Sequence, residues 1–374
     1  MKIPRTILAG ASLVGMIIGA GVFAIPYVFS QSGVIPCLLY FLILTPIIIV
    51  LHLFFGEITL RTKEEQRLVG YTGRYLGPGA KHLVAFSVIT GIAGSLLVYI
   101  ILAGDFLSII FPHFLSASQL SILIWGVLAF LVFLGTRSIA LVEFIMAGIF
   151  FLVISVIFLF CLPRINPANF VLFNAQKIFL PFGVLMFSLI GWSSVGEVED
   201  ILTEKKKLKP IIIAVISFCA VFYFVFGLII SGVTGQATSP EAMKGLVPIL
   251  GYKVMVLGAL FGLLAVATSF LTLANYLKNT FRFDYKLPHW LAFTLACGGP
   301  LLVFLLGFRD FIAVISILGA AVGLIEGIAL VLIYKKARKL GDRAPEYSLK
   351  TPKFLIYLII FILVIGTLTQ LIYH

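Results

Sequence analysis

Long apolar runs, separated by short polar segments, fill almost the whole chain. Eleven of these runs are long enough to cross a membrane, whose hydrocarbon core is about 30 Å thick and takes about 20 residues of helix. We therefore predict an all-α polytopic membrane protein with transmembrane helices at residues 6–30, 33–60, 83–111, 118–136, 138–162, 176–202, 208–233, 249–280, 288–307, 311–334 and 353–373.

The predicted spans divide into two halves of nearly equal length. Spans one to five occupy about 6–162, spans six to ten occupy about 176–334, and the helix at 353–373 lies outside both halves. Because each half has an odd number of spans, the second half enters the membrane in the opposite orientation. We expect one integral-membrane domain over residues 1–374, built on an inverted repeat.

Each half begins with a span that its own residues interrupt. The first span contains Gly15, Gly19, Gly21 and Pro26, and the sixth contains the polar run Gly191–Glu197. Within a helix each glycine costs about 1 kcal/mol relative to alanine and a proline about 3 kcal/mol. Paired interruptions in inverted halves indicate broken helices whose bare backbone binds a solute near the middle of the membrane. The alternative for the first span is a close helix contact through Gly15 and Gly19.

Composition excludes a soluble protein. The chain is 61% hydrophobic and 11% charged, with a mean hydropathy of +1.17, so the lipid bilayer must be its solvent. A net charge of +12 would suggest nucleic acid as the partner of a soluble protein, but here the basic residues lie in short loops between apolar runs. We expect no nucleic-acid partner. The four cysteines stand singly in apolar segments, which favours a packing role.

The basic residues predict an orientation. With the N-terminus in the cytoplasm, 22 of the 27 Lys and Arg residues fall on the cytoplasmic side and five on the other. An odd number of spans then places the C-terminus outside. The short loops are typical of a cell-membrane protein of the prokaryotic inner membrane.

Several stretches are similar to motifs of a known family. The run Gly19–Gly33 resembles the first helix of the amino acid/auxin permease family, within the amino acid–polyamine–organocation superfamily. Tyr99–Asp105 is similar to a second motif of that family, and Gly191–Trp192 with Glu197–Asp200 resembles the sixth helix of the broader superfamily. The resemblance implies the LeuT-type fold, in which two inverted repeats of five helices hold the solute between helices one, three, six and eight. Members of the family carry amino acids, driven by sodium or protons.

A zwitterionic solute needs hydrogen-bond donors for its carboxylate and acceptors for its ammonium group. The amides of Gly19, Ala20 and Gly21, at the start of a half-helix, are the predicted donors. Two aromatic residues have open roles: Tyr99 could donate to the carboxylate and Trp192 could close over the solute, or either could simply pack. The predicted acceptors are carbonyls that precede the breaks, those of Ile17, Phe187, Ser188 and Ile190.

The resemblance also implies a sodium site. In the family fold an alanine carbonyl and a Thr-Ser pair on the eighth helix help to bind sodium, together with two carbonyls of the first helix. Sodium is therefore the expected coupling ion, and no other cofactor is expected. The alternative is that the two hydroxyls bond back into their own helix. The matching residues here are Ala265, Thr268, Ser269, Gly15 and Ile18.

Proton coupling is the competing hypothesis. Some relatives replace sodium with a lysine of the fifth helix, but residues 140–162 contain no lysine. Two carboxylates could instead carry a proton or act in gating: Glu326, deep in the tenth span, and Glu197, beside the sixth break.

Other functional classes find little support in the sequence. The chain has neither a His-Glu-x-x-His nor a Gly-x-Ser-x-Gly motif, so we predict no enzyme. A sensor on the same fold would keep the solute site but would normally add a signalling domain. We predict a secondary active transporter for amino acids, with a neutral amino acid as the substrate because the pocket is apolar.

Overall fold

A computed structural model describes residues 4–134 and 140–373, with the backbone alone at 140–147, 283, 284 and 373. Throughout these residues the regular structure is helical. Hydrogen-bonded helices satisfy every backbone group within one segment, as a lipid environment requires.

The first half contains seven α-helices. The first predicted span consists of two of them, joined by a short 3₁₀ turn at Ala20–Ala24. The helices are α1 (Arg5–Ile17), α2 (Ile25–Ser32), α3 (Val34–Arg61), α4 (Leu68–Leu76), α5 (Pro78–Ile110), α6 (Ala117–Leu134) and α7 (Ala140–Cys161).

The second half repeats the break at its start, between α8 and α9. One helix then follows the repeat. The helices are α8 (Leu180–Leu189), α9 (Val195–Ile201), α10 (Leu208–Thr234), α11 (Val247–Leu250), α12 (Tyr252–Asn279), α13 (His289–Phe293), α14 (Gly299–Leu305), α15 (Phe311–Leu340) and α16 (Lys353–Tyr373).

Each of the eleven predicted spans has a helical counterpart. Among the described residues, eight helices are long and apolar enough to cross a membrane, and the bent pair α1 and α2 makes a ninth span. Shorter apolar helices at Gly148–Arg164 and His289–Leu305 occupy the fifth and ninth predicted spans. The ninth is broken by a π-helical turn at Thr294–Gly298, which the sequence analysis did not predict. The predicted boundaries at 136 and 138 lie outside the described residues.

Contacts between loops define two opposite ends of the helix bundle. At one end, which we call the basic end, the α15–α16 loop contacts the α3–α4 loop and α4: Asp342 accepts from the Lys63 amide at 2.9 Å and pairs with Arg74 of α4 at 3.0 Å. At the opposite end Lys244 pairs with Asp105, and the Ser32 hydroxyl donates to the Lys177 carbonyl at 2.7 Å. The predicted alternation of loops therefore agrees with the contacts, and the choice of cytoplasmic end stays a prediction.

The α15–α16 loop is fixed to the basic end by a buried carboxylate. Glu57 on α3 is 0% exposed and accepts hydrogen bonds from the Leu349 amide at 2.7 Å and the Ser348 hydroxyl at 3.1 Å, beside an ion pair with Arg61. A hydrogen bond from the Lys63 amide and one from Arg74 hold the pKa of Asp342, in the same loop, below its usual value.

Two glycines bring α8 against α15. A Cβ on Gly183 would lie 2.8 Å from the carbonyl carbon of Ser316, and a Cβ on Gly319 would overlap the Gly183 carbonyl oxygen. Neither position has room for a side chain, so the two backbones approach as small-residue helix contacts in membranes do. The first half of the sixth span is thereby fixed to the tenth.

Candidate functional site: the contact between two broken helices

The first break has the form that its glycines predict. α1 ends at Ile17, Ile18 and Gly19 leave the helical conformation with ψ values of 82° and −147°, and a 3₁₀ turn leads into α2. The two helical parts are bent by 51°. Pro26 lies in the first turn of α2, where a missing N–H removes no helical hydrogen bond.

The sixth span breaks at the corresponding place. α8 ends at Leu189, Ile190 is extended with ψ at 125°, and Gly191 has φ at −159° before the 3₁₀ turn Trp192–Ser194. Glu197, a candidate for proton transfer or gating, is exposed on α9. Both predicted breaks are therefore present in the structure.

The two breaks touch each other. A Cβ on Gly21 would lie 2.8 Å from the Cα of Ser188 and closer still to its hydroxyl. A Cβ on Gly191 would lie 2.6 Å from the Ile17 side chain. Glycine at these positions lets the two backbones approach, so Gly21 serves a helix contact as well as a break.

Tyr223 on α10 connects the two breaks, and the sequence analysis did not single it out. Its hydroxyl lies 2.8 Å from the carbonyl oxygen of Ile17 and 3.2 Å from that of Ser188. The side chain is 0% exposed. One buried hydroxyl thus contacts the carbonyl ends of both half-helices.

The predicted carboxylate donors differ in what they contact. The Gly19 amide donates to the Ile17 carbonyl at 2.9 Å, so it is engaged within the break. Ala20 and Gly21 open the 3₁₀ turn, and the first amides of such a turn have no partner inside it. The Tyr99 hydroxyl lies 3.7 Å from the Cβ position of Gly19, so this tyrosine is at the first break, and its role toward a solute stays a prediction.

The predicted ammonium acceptors also differ. The Ile17 carbonyl receives hydrogen bonds from both Gly19 and Tyr223, which fills its two lone pairs. Phe187 and Ile190 are half-buried, whereas Ser188 is 2% exposed. The acceptor role of these four residues stays a prediction.

Trp192 lies behind the sixth break. It is 0% exposed, and its indole N–H donates to a carboxylate oxygen of Glu326 at 2.7 Å. The Ser87 hydroxyl contacts the other oxygen at a longer 3.4 Å. Among the described residues Glu326 forms no ion pair, so a fully ionised state has only neutral partners to stabilise it.

His52 on α3 completes this buried polar group. Its ring centroid lies 5.6 Å from that of Trp192, and its Nδ1 lies 2.8 Å from the Ile48 carbonyl. Because a carbonyl only accepts, Nδ1 carries the proton and Nε2 is an acceptor. Nε2 is buried with no partner among the described residues, 3.5 Å from the Cβ position of Gly191.

The predicted sodium ligands are only partly brought together. The Thr268 hydroxyl donates to the Ala265 carbonyl at 2.9 Å, which is the back-bonded arrangement weighed as the alternative. Thr268 and Ser269 are half-buried on α12, Ile18 is half-buried in the first break, and Gly15 is exposed. In this structure α1 packs mainly against α9 and α10, and α12 against α5 and α7.

Comparisons with known proteins identify the fold and the family. The structure is similar to the crystal structure of MhsT in complex with L-phenylalanine, with a TM-score of 0.68 and 16% sequence identity over 99% of this chain and 98% of that chain. At this identity the similarity shows the fold, which is of the LeuT type, as expected. A search of curated proteins finds no match.

The family differs from the one that the motifs suggested. The Gly-x-Gly break and Pro26 resemble the amino acid/auxin permeases, but a different family model matches residues 4–370. A broken first helix meets the same physical need across this fold, so its glycines do not separate one family from another. The chain is an integral-membrane protein and belongs to the tryptophan/tyrosine permease family.

Proposed function

We propose that this permease carries an aromatic amino acid across the membrane by alternating access, with the solute bound where the two breaks meet. The observation that carries the proposal is the contact between the breaks, at Gly21 against Ser188 and at Tyr223 against both half-helix ends. This contact puts amide donors and carbonyl acceptors, which a zwitterion needs together, into one place.

The groups proposed to bind the solute are backbone dipoles, and this favours a particular charge of the solute. The first amides of the turn Ala20–Ala24, which have no partner inside the turn, suit a carboxylate, and a helix end adds a partial positive charge. Carbonyl oxygens suit an ammonium group. Neither set carries a full charge, so a zwitterion is favoured over a net cation or anion.

The aromatic side chain is proposed on two grounds. The family is described as tryptophan/tyrosine permeases, and the half-buried residues at the sixth break, Phe187 and Ile190, are apolar. An apolar surface next to polar backbone groups is the usual lining of a small-molecule site. MhsT, whose structure was determined with L-phenylalanine, has the same fold.

Sodium is the first candidate for the coupling ion. The Ala265 carbonyl and the Thr268 hydroxyl lie 2.9 Å apart on one face of α12, with Ser269 on the next position. Together with the carbonyls of Gly15 and Ile18 they would give five oxygen ligands without a carboxylate. Such a set suits a weakly bound monovalent cation that must be released in each cycle.

A proton is the second candidate, and Glu326 is the observation that favours it. This carboxylate is 5% exposed within the membrane span, and its hydrogen bond to Trp192 connects it to the sixth break. Buried carboxylates inside membrane spans are functional candidates by default. Protonation would weaken the Trp192 bond, because a hydrogen bond to a charged acceptor is roughly twice as strong as a neutral one.

In the proposed arrangement the chain forms one transport domain of a prokaryotic inner membrane. The N-terminus and the basic end face the cytoplasm, and the C-terminus lies outside.

Uptake of radiolabelled L-tryptophan into proteoliposomes tests the proposal. Imposed sodium and proton gradients are applied separately to the wild-type protein, a Thr268→Ala/Ser269→Ala double variant and Glu326→Gln. Sodium coupling predicts that the double variant loses its response to sodium, and proton coupling predicts that Glu326→Gln loses its response to the proton gradient. Ser155→Ala is the control, because Ser155 has a similar back-bond to Phe151 at 2.7 Å on an exposed part of α7. Binding without uptake under either gradient would favour a sensor and contradict transport.

A further inference from the structure

Resting on the proposed function, we infer that Tyr223 is a positioning residue for the solute's ammonium group. Its hydroxyl holds the Ile17 and Ser188 carbonyls in fixed positions, so that the Ser188 oxygen presents a free lone pair to a primary ammonium group.

The placement of Tyr223 indicates a specific role for its hydroxyl. The ring is 0% exposed on α10, a helix that packs against α1, α2 and α3. A buried hydroxyl without a partner would cost about 1–3 kcal/mol, so it is directed toward acceptors. The acceptors that it contacts are the carbonyls of Ile17, the last residue of α1, and of Ser188, the last residue but one of α8, which are 171 residues apart in the chain.

A count of hydrogens shows where acceptor capacity remains. The Tyr223 hydroxyl has one hydrogen and lies 2.8 Å from the Ile17 oxygen and 3.2 Å from the Ser188 oxygen. The Ile17 oxygen also accepts from Gly19 at 2.9 Å, so both of its lone pairs are in use. Among the residues that the structure describes, the Ser188 oxygen receives only the longer contact. It is therefore the carbonyl of this group that can accept a further donor.

The balance of donors and acceptors around the Tyr223 hydroxyl favours a ligand that donates hydrogen bonds. Three oxygen atoms come together with one hydroxyl hydrogen and one amide hydrogen between them, which leaves an excess of lone pairs. A primary ammonium group supplies three hydrogens and a positive charge. The group has no carboxylate, so the attraction is that of dipoles to a charge, which allows release as well as binding.

The experiment compares two ligands that differ only in the ammonium group. Binding of L-tryptophan and of 3-indolepropionate is measured by calorimetry on the purified full-length protein, and the ratio of their dissociation constants gives the preference for the ammonium group. We expect Tyr223→Phe to reduce this preference about tenfold, because the Ser188 and Ile17 carbonyls lose the hydroxyl that holds them in position. The carboxylate and side-chain contacts are common to both ligands and cancel in the ratio.

Tyr334→Phe is the matched control. Tyr334 is 1% exposed, and its hydroxyl donates to the Leu349 carbonyl at 2.8 Å at the basic end, away from both breaks. This variant loses the same atom from a similar environment and should keep the wild-type preference. Thermal unfolding of both variants is measured alongside.

A second variant keeps the test decisive if Tyr223→Phe does not fold. Tyr223→4-aminophenylalanine replaces the hydroxyl with two N–H donors, one for each carbonyl, and should keep the preference close to that of the wild type. Loss of the preference in this variant, or an unchanged preference in Tyr223→Phe, would overturn the inference. A change in sodium affinity with the preference intact would do so too, because the hydroxyl would then serve a metal ion. If the wild-type protein binds neither ligand, the proposed function fails instead.

Discussion

Replacement of Gly21 by alanine tests whether the two breaks touch. The added Cβ would lie 2.8 Å from the Ser188 Cα, whereas carbon atoms in contact are normally about 3.5–4.0 Å apart. The breaks would have to separate by roughly 1 Å. Overpacking of this kind costs about 1–3 kcal/mol. Since the separation acts on donors and acceptors of the same solute site, we expect affinity for L-tryptophan to fall about tenfold or more, at 1.4 kcal/mol per factor of ten.

Calorimetry in detergent, with thermal unfolding measured in parallel, reports this change. Gly10→Ala is the control in the same span, on α1, because a Cβ there would lie 3.9 Å from the Val215 side chain, an ordinary contact. In a helix interior this control should even gain up to about 1 kcal/mol of stability. Wild-type affinity and an unchanged unfolding temperature in Gly21→Ala would refute the contact between the breaks.

Three further predictions concern the surroundings of the site. Trp192→Phe removes the donor to Glu326 and should lower the free energy of unfolding by about 1.5–3 kcal/mol, measured by denaturation in detergent. An unchanged free energy of unfolding would contradict a stabilising role of the indole hydrogen bond. Glu57→Gln should release the α15–α16 loop, which trypsin would then cleave faster at Arg343. Glu204→Gln is the control: it loses only exposed ion pairs and should leave the rate of cleavage unchanged. Gly319→Ala should destabilise the protein by about 1–3 kcal/mol through overlap with Gly183, and equal stability would contradict the close helix contact.

The spans and their breaks could be predicted from the sequence because the bilayer imposes strong local rules. A helix of about 20 apolar residues is required to cross it, and glycines or a proline inside such a helix stand out against that background. The bend at Gly19 and the break at Gly191 were visible for this reason. The π-helical turn at Thr294–Gly298 carried a similar mark, because Gly298, Gly299 and Pro300 stand together inside the ninth span, but no interruption was predicted there.

Contacts between distant parts of the chain could not be predicted in this way. Tyr223 stands in the apolar run Phe222–Phe226, where a tyrosine usually packs or faces the membrane interface, and only the fold shows that its hydroxyl reaches two carbonyls. Trp192 looked equally suited to a gate or to packing, because its partner Glu326 is 134 residues away. His52 lies within the second predicted span, but the direction of its Nε2 depends on the packing of α3.

The contact between Gly183 and Gly319 has a mechanical consequence. α8 is fixed to α15, while α9, the other half of the same span, packs against α1. Both halves of span six also contact α3, but their main neighbours differ, and the helical hydrogen bonds between the two halves are interrupted at Ile190 and Gly191. A change of angle between α8 and α9 at this joint would therefore break no hydrogen bond of a continuous helix.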